Sequence, residues 1–200
     1  MKEDNKHSYI NQIINVLNDT LGNVHFEDNE AFRELFKEKT IKKGRLFISE
    51  GDIPKHLSFI IKGIVKFYYI DNKGNEWIKH IAVENEFITA YGNFLHQTPS
   101  LYFIEAVEDT TLLSLSYETF VKLIDNSKAW SDIVRKFTED IYYKKEIREA
   151  IFLKMDATER YLNFLKEYKH LVNRISIKEM ASFLGISHVS LSRIRANIRN

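Results

Sequence analysis

Apolar positions near the start of the chain recur three and four residues apart. Ile10, Ile13, Ile14 and Leu17 share one helical face, and the spacing predicts two helical segments, roughly Tyr9 to Leu21 and Asp28 to Phe36. The period then shortens. Over "KTIKKGRLFISEGDIPKHLSFIIKGIVKFYYIDNKGNEWIKHIAVENEFITA" short runs rich in Ile, Phe and Tyr alternate with turn signals at Gly44, Gly51-Asp52, Gly63 and Asn72-Lys73-Gly74. Such spacing predicts an antiparallel β-roll or jelly roll, continuing through "YFIEAVEDTTLLSLS" and ending near Tyr117.

Helical patterning returns after the roll. A short helix is expected from Tyr117 to Ile124 and a long one from about Lys128 to Leu153. Along the long helix Trp130, Val134, Phe137, Ile141, Lys144, Arg148 and Ile151 follow a four-three spacing. Its first half, Trp130, Val134, Phe137 and Ile141, is a candidate dimer seam, interrupted by Lys144 and Arg148. The row Ile133, Phe137, Ile147 and Ile151 is a second register, and packing of this face on the roll is the intrachain alternative. "DATE", Asp156 to Glu159, is a capping box opening a helix with Tyr161, Leu162, Leu165 and Tyr168. The fold class is therefore α+β: an N-terminal roll with flanking helices over 1–126, a long helix and hinge over 127–155, and a helical domain over 156–200.

The last quarter, "RISIKEMASFLGISHVSLSRIRANI", carries the clearest chemistry. Ser176 and Glu179 form a second capping box, and Ile177, Met180, Ala181 and Leu184 give the following helix one apolar face. Gly185 supplies a residue for a tight corner, and Ser187 caps a second helix from His188 to about Asn197. Two short helices joined at a Gly corner make a helix-turn-helix. At about 100° per residue the second helix turns Leu191, Ile194 and Ile198 one way and Val189, Ser192, Arg193 and Ala196 the other. A face with no core to serve is free to enter a DNA groove. Arg193 is the candidate base reader, because a guanidinium bonds two guanine acceptors, and Val189 suits a thymine methyl. His188, Ser190 and Ser192 stand near bases or phosphates, while Lys178, Ser187, Arg195 and Arg199 are candidates for holding the backbone.

Charge agrees with this placement. The 200 residues carry a formal net charge of +1, but from Lys154 onward nine Lys/Arg stand against four Asp/Glu, which leaves the remainder net acidic. The chain has no cysteine. That excludes thiolate-held clusters, cysteine nucleophiles and disulfides within it, and fits a reducing compartment. With no apolar run long enough for a bilayer or a signal core, a cytoplasmic protein without membrane partners is expected.

Catalysis finds little support in the pattern. His25, His56, His80 and His96 form no His-x-His pair with a following carboxylate, so no metal is expected. Glu84, Glu86, Glu105 and Glu108 alternate with apolar residues as solvated strand faces do. No phosphate loop or nucleophile elbow is present, and neither an enzymatic activity nor a cofactor is expected. A regulatory module that uses the roll to bind a ligand or protein, without DNA, is the alternative.

The order of roll, long helix and helix-turn-helix resembles the Crp/Fnr superfamily of bacterial transcription regulators. "KKGRLFISEGD", "LSFIIKGIVKFYYIDNKGNE", "FITAYGNF", "DATERYL" and "ASFLGISHVSLSRIR" carry the resemblance, which covers nearly the whole chain. It implies a homodimer joined along the long helix, reading two half-sites of a near-palindrome, with RNA polymerase as a further partner. The family's base readers fall on His188, Val189 and Arg193, and only Arg193 keeps a familiar identity. In cyclic-nucleotide binders of the family, Gly-Glu contacts the ribose and Arg-Ser the phosphate. Those places hold Thr89, Ala90, Ser100 and Leu101 here, and the adenine-contacting Thr of the long helix falls on Lys145. Without the charged contacts, cyclic AMP is not expected to bind tightly. Thr89, Tyr91, Asn93, His96 and Ser100 are candidates for holding a different small-molecule effector. Alternatively, Tyr91, Phe94 and Phe103 fill the pocket.

Overall fold

A computed structural model describes residues 2–22 and 25–199. The chain divides into two compact units, Met1–Phe67 with Ile81–Thr138, and Tyr68–His80 with Glu139–Asn200.

The first unit is built on two four-stranded sheets. One has the order β1 (Lys37–Ile41), β8 (Thr110–Ser116), β3 (His56–Lys62), β6 (Phe87–Ile88). The other has the order β2 (Leu46–Ile48), β7 (Phe103–Ala106), β4 (Val65–Ile70), β5 (Glu76–Ala82). Pairing of β8 with β1 and β3 is antiparallel, with Phe59 opposite Leu113 and Ile60 opposite Leu112. Between the sheets lie Ile48, Ile60, Val65, Phe67, Ile88, Tyr102, Ile104 and Leu112. The other face of the first sheet presents Phe59, Ile61, Leu113 and Leu115 to helices. These are α1 (Lys2–Leu21), α2 (Glu30–Glu34), α4 (Tyr117–Asn126) and the first half of α5 (Lys128–Lys154). The predicted roll and its end before Tyr117 are both present.

Helix boundaries differ from expectation in instructive ways. α1 begins seven residues before Tyr9, on a polar stretch with no apolar face to announce it. α2 is shorter than expected because Asn29 caps it, accepting from the Phe32 N–H at 2.9 Å, and β1 claims the chain from Lys37. A helix absent from the sequence reading, α3 (Tyr91–His96), follows β6 and is anchored by fully buried Phe94. It lacks a side-chain N-cap, which is why no signal marked it.

Trp130, Val134 and Phe137 pack against the core of their own chain, together with buried Ile133. Trp130 meets Phe26 and Phe32 at ring separations of 5.2 and 6.1 Å, and Phe137 meets Phe87 at 5.2 Å. The structure thus realises the intrachain alternative for these three residues, since a sheet face lined with Phe and Leu needs an apolar cover. Ile141, the fourth seam candidate, is half-buried.

The second unit contains the β4–β5 hairpin tip, the remainder of α5, α6 (Ala157–Glu167), α7 (Ile177–Leu184) and α8 (His188–Arg199). Its core gathers Tyr161, Phe164, Leu171, Ile175, Met180, Phe183, Leu184 and Leu191, all buried. Phe183 lies 5.7 Å from Phe164 and 5.3 Å from Tyr168, ring to ring.

Gly63, between β3 and β4, has φ +115, and a Cβ there would sit 2.7 Å from the Thr110 Cα. Its N–H donates to Glu84 Oε1 at 2.8 Å. Strained φ and backbone overlap each cost on the order of 1–3 kcal/mol. Gly63→Ala is therefore expected to lower stability by about 3 kcal/mol or more, read as a fall in urea midpoint at unchanged slope.

Candidate nucleic-acid interface and effector pocket

The helix-turn-helix is fixed at each of its ends. Ser176 Oγ accepts from the Glu179 N–H at 3.1 Å, and Glu179 Oε2 accepts from the Ser176 N–H at 2.8 Å, which completes the predicted capping box. Asp156 and Glu159 do the same for α6. At the corner Gly185 has φ +68, the Ile186 N–H reaches Ala181 O at 3.0 Å and the Gly185 N–H reaches Ser182 O at 3.1 Å. That is a Schellman ending, which satisfies two otherwise orphaned carbonyls. Ser187 Oγ then accepts from the Ser190 N–H at 3.1 Å and starts α8.

Two arginines complete the corner, and sequence reasoning missed both. Arg148 Nη2 donates to Phe183 O at 2.8 Å, and Arg160 Nε donates to Leu184 O at 3.0 Å. The Phe152 ring lies 4.7 Å from the first guanidinium and 5.1 Å from the second. Cations at the C-terminal carbonyls of a helix complement its dipole. In the sequence Arg148 read as an interruption of an apolar seam. The "DATER" box was the available signal for Arg160, since a residue four places after a cap faces back toward the preceding turn.

α8 presents the predicted reading face. Leu191 is fully buried against the unit's core, whereas His188, Val189, Ser190, Ser192 and Arg193 are exposed. Lys178 and Ser187 are exposed as well, Arg195 is half-buried, and the side chain of Arg199 lies outside the described residues. Exposed hydroxyl, imidazole, guanidinium and isopropyl groups along one side of a helix provide donors and apolar contacts suited to base edges.

Ala90, expected to stand where cyclic-nucleotide binders carry a ribose-binding Glu, is fully buried. Ser100, expected at the place of a phosphate-binding Arg, is buried and donates its hydroxyl to Tyr102 O at 2.7 Å. Tyr91 Oη lies 2.7 Å from Thr138 Oγ1, which itself donates to Val134 O at 2.7 Å. Asn93 Nδ2 donates to Pro99 O at 2.7 Å and to Thr98 Oγ1 at 3.1 Å, and His96 is exposed. Thr89 Oγ1 is buried without a hydrogen-bond partner. Phe67 and Tyr102 are buried between the sheets, with Phe47 packed against the same cluster. Phe94 instead belongs to the helix-covered core, beside Tyr117 and Phe120. Among the described residues no cluster of three His, Cys, Asp or Glu side chains is placed to hold a metal, and no helix is long and apolar enough to cross a membrane.

Lys145 is exposed and contributes to a basic group in the second unit. Burial, reinforced by the charges of Lys145 and Arg148, lowers the Lys79 ammonium to about 8. Burial also lowers Arg148 to about 10, so it stays charged at neutral pH.

Two outcomes follow from this geometry. A Cβ on Gly185 would lie 2.6 Å from Phe152 Cε1 at a positive φ, so Gly185→Ala is expected to lower stability by about 1–3 kcal/mol in equilibrium unfolding. Because Lys79 holds its proton less well folded than unfolded, its destabilising effect is full below about pH 8 and fades toward pH 10.5. Lys79→Met is accordingly expected to stabilise the protein in urea unfolding at neutral pH, by an amount that shrinks as pH rises through that window.

Residues 38–127 match the cyclic nucleotide-binding domain family. No protein of curated function matches the chain. Among solved structures, FixK2 from Bradyrhizobium japonicum is similar at 14% identity and TM-score 0.71, over 82% of this chain and 84% of its own. A CooA mutant from Carboxydothermus hydrogenoformans reaches 18% identity and TM-score 0.71, over 94% and 84%. The c-di-GMP-responsive global regulator CLP from Xanthomonas campestris reaches 16% and 0.69, over 83% and 87%. Residues 38–127 are thus similar to the cyclic nucleotide-binding domain family, and the chain shares the fold of FixK2, CLP and CooA.

Proposed function

We propose that this protein is a homodimeric, DNA-binding transcription regulator that reads a near-palindromic operator and acts by binding rather than catalysis. The observation that carries the reading is the open face of α8: His188, Val189, Ser192 and Arg193 are exposed on a helix whose opposite side, at Leu191, is locked into the core. Arg193 is assigned to base readout, and Lys178, Ser187, Ser190, Arg195 and Arg199 to phosphates and register.

The dimer seam is assigned to the second half of α5. Tyr143 is 62% and Ile147 42% exposed, and with Ala150 they recur at four and three residues on one side of the helix. Arg148 and Phe152, which pack on the helix-turn-helix corner, lie on the opposite side. An exposed apolar stripe on a helix whose other side is occupied is the pattern of a self-association surface.

For the effector, Ala90 and Ser100 offer no charge to a cyclic phosphate or its ribose, so DNA binding is assigned as independent of cyclic AMP. A small, largely neutral effector remains compatible with the buried Thr89 hydroxyl.

Selection of duplexes from a fragmented genomic pool, with no nucleotide added, is expected to enrich a palindrome. Arg193→Ala should weaken binding to it by about 1–3 kcal/mol and relax sequence preference at one position per half-site. No enrichment with the unmodified chain would refute the reading. Sedimentation should show a dimer that Ile147→Glu converts to a folded monomer, and calorimetric titration with cyclic AMP should give no saturable heat at micromolar concentrations.

A further inference from the structure

The inner face of the first sheet changes chemistry toward one end. Across β1, β8 and β3, Lys39, Leu112 and Ile60 form one row of Cα partners, Lys37, Ser114 and Ser58 the next, and Ser116 and His56 the one after. Strand alternation turns these residues to the side on which Ile41, Ile60 and Leu112 meet the opposing sheet. Methyl groups thus give way to hydroxyls, and hydroxyls to ammonium and imidazole groups at the rim. From the opposing sheet β2 brings half-buried Phe47, with Lys39 Nζ 5.5 Å from its ring centre. Lys37, Glu38, Lys39, Phe47, His56 and Ser114 line an open cleft of about 210 Å³. Ser114, buried and with its hydroxyl 2.7 Å from that of Ser58, forms its inner side. Among the described residues no carboxylate pairs with Lys37 or Lys39, and none of Thr89, Tyr91, Asn93, His96 and Ser100 lines the cleft.

We propose that this cleft binds a small aromatic carboxylate, with Lys37 and Lys39 holding the carboxylate and Phe47 packing on the ring. The site belongs to the roll alone and stands whether or not the chain reads DNA. Two ammonium groups on one rim attract an anion, and with Lys55 beside them they outnumber the carboxylates of Glu38 and Glu118. The space restricts the anion to a small one. A cavity of about 150 Å³ holds benzene, so the cleft admits one ring and its acid group. A bare inorganic anion would leave the Phe47 ring unused, whereas an aromatic acid gains from edge or offset contact with it. His56 makes the binding sensitive to pH. Partial burial and then the charge of Lys39 hold its imidazole below the ordinary value, Lys37 and Lys55 add to this, and Glu118 opposes it. A carboxylate in the cleft favours the imidazolium, so binding takes up a proton. Affinity therefore rises as pH falls through the ordinary imidazole range, where the lysines stay charged throughout.

NMR of the full chain tests this, following the His56 and Phe47 ring resonances with benzoate, salicylate and phenylacetate as probes. At least one acid is expected to shift both rings saturably, with a Kd of about 1 mM or below. Benzamide and inorganic phosphate should each bind at least about tenfold more weakly, since one lacks the charge and the other the ring. Lys37→Gln combined with Lys39→Gln should weaken the acids about tenfold at an unchanged urea midpoint, because both side chains are exposed. Phe47→Leu should weaken the acids and leave phosphate unaffected. Between about pH 8 and about pH 6 affinity should rise several-fold as His56 takes up its proton. Equal binding of phosphate and the acids would overturn the aromatic-acid assignment and leave a general anion trap. No saturable shift with any of the three acids at millimolar concentration, or a shift that the double lysine variant leaves unchanged, would overturn the site itself.

Discussion

Burial of one sheet on both of its faces is the constraint from which most of this molecule follows. In β3 and β8, Phe59, Ile61, Leu113 and Leu115 face the helices while Ile60 and Leu112 face the opposing sheet. Each such side chain contributes about 1.5–3 kcal/mol when fully buried, so neither face can be left to solvent. The outer face therefore requires α1, α4 and the start of α5 as a permanent cover. Trp130, Val134 and Phe137 pack into that cover while staying partly exposed. The inner face admits polarity only where it is paired, as in the Ser58 and Ser114 hydroxyls 2.7 Å apart across the strands.

In the helix-turn-helix the governing requirement changes from apolar area to satisfied helix ends. α7 has only eight residues, a length at which an isolated helix is marginal. Its first turn is closed by the Ser176 and Glu179 box, and its last by the Gly185 corner together with Arg148 and Arg160. Because α7 is held at both ends and through Phe183, α8 can keep one side in the core at Leu191 and leave the other polar and exposed. Rigidity in the first helix is thus what leaves the second free to be polar.

How much of this was legible depended on how local the physics is. Caps and corners are decided within five or six residues, so Asp156, Ser176, Gly185 and Ser187 could be read directly, as could the turns that divide the roll. Spacing along α5 revealed an apolar stripe but not its partner, because a sheet of the same chain and a second copy ask for the same residues. Arg148 was read as a break in that stripe for a related reason. Its bonds run to the carbonyls of Ile78 and Phe183, far away in sequence, and no periodicity reports them. α3 was missed because burial of a single residue, Phe94, holds it in place of any cap. On α8 the burial of Leu191 and the exposure of Val189, Ser192 and Arg193 were legible from spacing, whereas Ile198, placed on the same side as Leu191, is 44% exposed.

Over residues 38–127 the chain matches the cyclic nucleotide-binding domain family. Buried Ala90 and Ser100 bring no charge into the roll and so avoid the cost of desolvating an ion. Phe67 and Tyr102 pack in the core between the sheets, with ring centres 6.1 Å apart. Against this, the Thr89 hydroxyl is buried without a partner, at a cost of about 1–3 kcal/mol that a methyl-bearing side chain of the same shape would avoid.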